Sequence, residues 1–130
     1  MSNSIIERRP RRVLVVDDER HVRFMLCDLL AHLGCHADGV PDPVEGLARL
    51  ERGAYDLLVT DFRMPGMTGV EFVKRARERN GALRVIMLTA SSTDLDPTAR
   101  RLGFTLLRKP VDIGRFEDVL AESTHVSQQR

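Results

Sequence analysis

Apolar residues along the chain fall into two patterns, short unbroken runs and stripes at three- and four-residue steps, and their alternation predicts strands and helices in turn. Val13-Leu14-Val15-Val16 is a β-branched run of the kind covered on both faces in a parallel sheet. From about Glu19 to Leu33, Val22, Met25, Leu26, Leu29, Leu30 and Leu33 trace one face of a helix that Gly34 ends. Cys35 to Gly39 is a weaker, short strand. Pro41-Asp42-Pro43 supplies a turn and a helix start, and Val44, Leu47, Ala48 and Leu50 form the buried stripe of a second helix that stops near Gly53.

The third strand runs from Tyr55 to Thr60, with Asp61 at its end, where Met64-Pro65-Gly66 forbids continuation of either a strand or a helix. Thr68 to about Glu78 is a third helix with Val70, Phe72, Val73 and Ala76 inward and a basic outer side, closed by Asn80-Gly81. Leu83 to Leu88 is the fourth strand. A short or loosely held helix is expected between Asp94 and Leu102, because the region carries Pro97 and few apolar anchors. Phe104 to Arg108 is the fifth strand. Asp112 to Glu122 is the last helix, with Ile113, Phe116, Val119 and Leu120 inward, and His125 to Arg130 reads as a polar, frayed tail.

Five strands alternating with five helices specify a doubly wound α/β sandwich, since parallel strands need crossover helices of one hand. In such a sheet the carboxyl ends of the strands share one rim, which faces the ligand crevice. The polar residues collected there are Asp17 and Asp18 after the first strand, Asp61 after the third, Thr89 after the fourth and Lys109 after the fifth. Singly, each has an ordinary role as a helix cap, a loop-ordering side chain or a solvated amine. On its own stretch, Asp61 stands level between such a role and that of a reactive carboxylate. Together they require four coincidences at one edge. Three crowded carboxylates raise one another's pKa unless a cation neutralises them, so a hard divalent ion, Mg²⁺ or Mn²⁺, is implied. Because Mg²⁺ keeps several waters and binds through a few carboxylates plus phosphate oxygens, the site is completed by a phosphoryl group, with Lys109 and the Thr89 hydroxyl as complements.

Composition narrows the partners. The chain has 130 residues, 42% of them hydrophobic, which is enough for one core and no second folded domain. A net charge of +1 gives no field that would draw it to nucleic acid or an anionic membrane, and the absence of Trp with 5% aromatics argues against base stacking. The first ten residues lack the apolar core of a signal peptide and no run reaches the roughly 20 residues of a membrane span, so a cytoplasmic location is expected. Cys27 and Cys35 lack paired-motif spacing and read as reduced, structural thiols. His21, His32, His36 and His125 read as surface residues. No G-x-G-x-x-G follows the first strand and no Walker-type Gly-Lys-Ser/Thr occurs, which removes the usual basis for nucleotide binding.

Val13-Leu14-Val15-Val16-Asp17-Asp18-Glu19, Asp61-Phe62-Arg63-Met64-Pro65-Gly66-Met67-Thr68-Gly69, Leu88-Thr89-Ala90 and Lys109-Pro110 together resemble the receiver domain of bacterial two-component response regulators. The resemblance covers roughly Arg12 to Glu122 and divides the chain into an N-terminal arm (residues 1–11), the receiver (residues 12–122) and a polar tail (residues 123–130). It implies a flavodoxin-like fold with strand order 2-1-3-4-5 and a phosphoryl group accepted onto Asp61 from a phosphohistidine of a sensor histidine kinase or histidine phosphotransfer protein. It implies Mg²⁺ held by Asp18, Asp61 and the Arg63 main-chain carbonyl, with Asp17 acting through water, and no enzymatic activity beyond phosphorylation and dephosphorylation of Asp61 itself. Thr89 and Lys109 then switch a surface on the fourth helix, fifth strand and fifth helix, read by an effector protein or an output domain outside this chain. The family places an aromatic three residues before the lysine, where this chain has Leu106, so packing contributes less to its switch; Phe104 is assigned to the core.

Two other readings compete. A small Mg²⁺-dependent aspartate phosphatase also forms an aspartyl phosphate, but its nucleophile sits in a D-x-D pattern after the first strand, a spacing Asp17-Asp18 lacks. A receiver-like interaction module that is never phosphorylated would not need Asp61, the acidic pair, Thr89 and Lys109 together.

Overall fold

The computed structural model describes residues 12–126, with side chains as far as residue 121. The elements run β1 (Arg12–Val16), α1 (Arg20–His32), β2 (His36–Val40), α2 (Pro43–Arg52), β3 (Leu57–Asp61), α3 (Gly69–Arg79), β4 (Arg84–Thr89), α4 (Asp96–Leu102), β5 (Thr105–Arg108) and α5 (Ile113–Val126). The strands form one parallel sheet in the order β2-β1-β3-β4-β5, the flavodoxin-like order expected. The arm (residues 1–11) and residues 127–130 of the tail lie outside the described residues.

Strand periodicity sorts the core into two layers. Leu14, Val16, Leu58, Val85 and Met87 face α2, α3 and α4, packing with Phe72, Val73, Ala76 and Ala99. Val13, Val15, Leu57, Val59, Ile86, Leu88 and Leu107 face α1 and α5, packing with Leu26, Leu30, Phe116, Val119 and Leu120. Phe104 is buried in the first layer as expected, and Leu106 packs partly buried against it. Cys27 is partly buried and Cys35 buried, and the two form no disulfide.

Helix boundaries have local causes. Gly34, at φ +91°, lets the chain leave α1 by a left-handed step. The Asp42 carboxylate accepts from the Glu45 N–H at 2.9 Å and caps α2, whose first residue is Pro43. Thr68 caps α3 through the Glu71 N–H.

Three details differ from the sequence reading. Val44 is 73% exposed and Ala48 is exposed, because the buried stripe of α2 is Pro43, Gly46, Leu47 and Leu50. Gly46 sets that rotation: a Cβ there would lie 2.7 Å from the Phe72 ring of α3, so the two helices meet at the glycine. Ile113 is 47% exposed, being in the first turn of α5 rather than over the sheet. The fourth helix is short as expected, at 7 residues, with Pro97 in its first turn where no N–H is needed. Finally α5 continues to Val126, four residues past the expected end, so residues 123–126 of the expected tail are helical: nothing between Glu122 and Val126 is a Gly or Pro that would stop it.

A polar cluster that the sequence did not foretell ties the β2 edge to its neighbours. The buried Tyr55 donates its hydroxyl to Asp38 at 2.6 Å, Arg12 and Arg49 each approach the same carboxylate at 3.7 Å, and the Arg12 guanidinium lies 4.7 Å from the Tyr55 ring centre. Tyr55→Phe is expected to cost about 1–2 kcal/mol in urea unfolding, since it deletes a hydrogen bond to a charged group while both arginines remain to pair with Asp38.

Candidate functional site

All five strands point the same way, so their carboxyl ends share an edge, and register decides which side chains meet there. Val16 is paired with Thr60, Asp61 with Leu88 and Thr89 with Arg108. Asp17 and Asp61 therefore leave adjacent strands at the same level. Lys109, the residue after Arg108, enters beside Thr89 and donates its backbone N–H to the Thr89 carbonyl at 2.8 Å.

Among the described residues, Asp17, Asp18 and Asp61 bring carboxylate oxygens within 4.8 Å of one another. Asp17 is fully buried and Asp61 is 7% exposed, whereas Asp18 is exposed. Lys109 stands over them: its Nζ is 3.2 Å from Asp17 Oδ2, 3.2 Å from Asp61 Oδ2 and 2.8 Å from Glu19 Oε1. The other Asp17 oxygen accepts the Glu19 N–H at 2.9 Å, and the Asp17 carbonyl accepts from Arg23 at 2.8 Å, which anchors α1 to the β1 end.

Charge is unbalanced at this edge. Burial raises the Asp61 carboxyl above the usual carboxylate range, the Asp17 charge adds to that, and Lys109 only partly opposes it. Asp17 is raised likewise, chiefly by burial, against the pull of the Glu19 N–H and Lys109. For Lys109, burial would lower the pKa, but the Glu19 bond and the Asp17 and Asp61 charges outweigh it, so the amine is held firmly protonated. Two buried carboxylates with raised pKa values beside a third, all offering hard oxygen donors, fit a small divalent cation: it would supply the charge that one lysine does not.

The loop between β3 and α3 is held close to the site. The Phe62 N–H donates to the Leu88 carbonyl, and the Gly69 N–H returns to the Phe62 carbonyl at 2.6 Å, closing residues 62–69 into a compact turn. Gly66, at φ +86°, allows the reversal. Arg63 sits two residues beyond Asp61 with its side chain exposed and its guanidinium 5.7 Å from the Phe62 ring centre.

Thr89 is 1% exposed, and its hydroxyl accepts the Ser91 N–H at 2.9 Å; Ser91 Oγ accepts the Thr93 N–H, and Arg108 donates to the Ser91 carbonyl at 3.1 Å. The loop leading to α4 is thus wound on Thr89. Accepting one bond leaves the hydroxyl hydrogen free to donate. Leu106, Leu107 and Arg108 border an open cavity of about 380 Å³ with Asp96, Asp112 and Arg115, beneath the surface between α4 and α5.

The structure therefore assembles Asp17, Asp18, Asp61 and Lys109 into one cluster and places Thr89 on the neighbouring strand end. Sequence reasoning left Glu19 without a role; its position directly after the acidic pair was the signal. The basic outer side expected for the third helix does not hold for Arg77. Arg77 is half-buried and donates to the Leu83, Leu102 and Gly103 carbonyls, which binds α3 to the end of α4.

Comparison with known proteins matches residues 13–121 to the family model "response regulator receiver domain". The chain is similar to the response regulator protein PilR of Pseudomonas aeruginosa, 33% identical over 113 residues, covering 85% of this chain and 25% of that protein. It is similar to sporulation initiation phosphotransferase F of Bacillus subtilis, 29% identical over 111 residues, covering 84% of this chain and 90% of that one. Among solved structures, the response regulator TrrA of Thermotoga maritima in complex with Mg²⁺ and BeF superposes with a TM-score of 0.77 at 28% identity, covering 87% of this chain and 98% of that one. The chain spans a quarter or less of the length of the first curated relatives it matches, at 25% and 22%.

Proposed function

Because the chain belongs to the response regulator receiver domain family of two-component systems, we propose that it works by accepting a phosphoryl group on Asp61. The observation that carries this reading is the convergence of Asp17, Asp18 and Asp61 under the Lys109 ammonium at the carboxyl edge of the sheet. A donor of phosphohistidine type, on a sensor histidine kinase or a histidine phosphotransfer protein, matches the chemistry. An Asp61 carboxylate oxygen forms the new O–P bond as the N–P bond of the donor breaks, and the bonding pair stays on the imidazole nitrogen. No separate base is required, because Asp61 reacts as the ionised carboxylate.

Asp18, Asp61 and the Arg63 main-chain carbonyl would hold Mg²⁺, or Mn²⁺ in its place, with Asp17 acting through water. The ion supplies charge neutralisation for the phosphoryl oxygens. Lys109 offsets the remaining charge as a fixed ammonium, and the Thr89 hydroxyl donates to a phosphoryl oxygen. As Thr89 turns toward that oxygen, it draws the loop of Ser91 and Thr93 that its side chain organises, changing the α4, β5 and α5 surface offered to an effector protein or an output domain. The chemistry is self-phosphorylation and self-dephosphorylation of Asp61, not turnover of a separate substrate.

A phosphatase built on the acidic pair finds no support in the geometry, since Asp17 is fully buried and is engaged by Glu19 and Lys109. Among the described residues no helix is long and apolar enough to cross a membrane. That supports a cytoplasmic site of action, and the near-neutral charge supports protein rather than nucleic-acid contacts for this domain.

The test is labelling by a small phosphodonor such as acetyl phosphate with Mg²⁺, mapped by mass spectrometry. Label is expected on Asp61 and should vanish in chelator; undiminished labelling without divalent ions would overturn the metal requirement. Asp18→Ala should weaken Mg²⁺ binding by about tenfold or more in a calorimetric titration, because it removes a direct anionic ligand from a cation reluctant to shed water. Asp17→Ala should lose less.

A further inference from the structure

Lys109 donates to the Glu19 and Asp61 carboxylates and lies in ion-pair range of Asp17, whose Oδ2 is buried without a hydrogen bond. The shortest contact is not to either buried aspartate but to Glu19, at 2.8 Å against 3.2 Å for each of the others. The Glu19 side chain is 56% exposed while that of Lys109 is 13% exposed, so Glu19 covers the solvent side of the ammonium. Asp17 cannot take this position. Its carboxylate is 1% exposed, and its Oδ1 is held from within the fold by the Glu19 N–H.

We propose that the Glu19 carboxylate occupies the place on Lys109 that a phosphoryl oxygen takes, so that phosphorylation exchanges one anion for another. The inference rests on the acceptor reading of Asp61 given above and adds a residue to it. Glu19 is the expendable partner: being exposed, its carboxylate is rehydrated at once when released, whereas buried Asp17 would be left unpaired. Glu19 therefore acts through Lys109 to lower the affinity for the incoming group.

The experiment measures calorimetrically the binding of beryllofluoride with Mg²⁺ to the full chain. Glu19→Ala and Glu19→Gln are both expected to bind about threefold to fivefold tighter than the parent at low salt, the scale of one exposed ion pair. The gain should shrink at about 0.5 M salt, which screens an exposed charge. In a Lys109→Ala background, Glu19→Ala should change the affinity hardly at all. Equal or weaker binding by both Glu19 variants would overturn the inference, because Glu19 would then position the lysine rather than compete for it. A gain that persists without Lys109 would also overturn it, as general repulsion. A parent that bound no beryllofluoride with Mg²⁺ would instead overturn the acceptor reading itself. Thermal unfolding of each variant confirms that the fold is intact.

Discussion

Asp61→Asn protein is expected to take up no label from acetyl phosphate and yet to unfold at a higher temperature than the parent. The first outcome follows from chemistry: an amide oxygen offers no anionic nucleophile, and the neighbouring Asp17 carboxylate is fully buried with Oδ1 held by the Glu19 N–H. The second follows from the charge balance. A carboxylate whose pKa is raised by folding contributes stability that is fully present below its unfolded pKa and is lost as pH rises through the folded value. Asp61 and Asp17 are both raised, by burial first, so the fold disfavours the ionised form of each in the metal-free protein. Replacing one of them should add on the order of 1 kcal/mol, or a few degrees in Tm, at pH 7. The gain should fade below the ordinary carboxylate range, where Asp61 is protonated in any case. Added Mg²⁺ should raise the Tm of the parent and do much less for the variant. A parent and variant with equal Tm at pH 7 and equal response to Mg²⁺ would show that these charges do not oppose each other.

Gly69→Ala is the other substitution with a large expected effect, although it removes nothing from the site. A Cβ at residue 69 would lie 2.5 Å from the Asp61 carbonyl oxygen and 2.9 Å from the Phe62 Cα, both backbone atoms with no rotamer to yield. The Gly69 N–H bond to the Phe62 carbonyl, at 2.6 Å, fixes that approach. To admit the methyl group, the turn must open, which breaks this bond and shifts the backbone next to Asp61 and the Arg63 carbonyl. A loss of about 3 kcal/mol in urea unfolding is expected, within the range of overpacked sites whose neighbours cannot relax. Phosphodonor labelling should fall in the folded fraction as well. Substitution at Gly81, where the nearest atom to an added Cβ is 3.9 Å away, is the control and should be nearly neutral in both measurements.

Legibility in the sequence followed from how local each cause was. The strands were readable because buried parallel strands are continuous apolar runs, and β1, β3 and β4 carry them. The starts of α2 and α3 were readable because their causes are local, Asp42 and Thr68 accepting N–H groups three residues on. The orientation of α2 was not, since Val44 and Leu47 are equally plausible anchors until Gly46 meets Phe72 on α3, a contact between residues far apart in the chain. The extent of α5 was misjudged because polarity alone was taken to end a helix that no residue stops.

By itself the sequence determined which residues end each strand, hence that Asp17, Asp18, Asp61, Thr89 and Lys109 share one rim, because hydrophobic periodicity places the strands and parallel connection puts their ends together. The tertiary structure alone decided the partners within that rim. Which carboxylates are dehydrated, which oxygen meets Lys109 and which residue covers it depend on strand register, on the burial of Asp17 and on the entry of α1, none of which is encoded in any one segment. Glu19 is the clearest case: spacing makes it one more acidic residue after a strand, and only the approach of β5, 90 residues later, turns it into the nearest partner of Lys109.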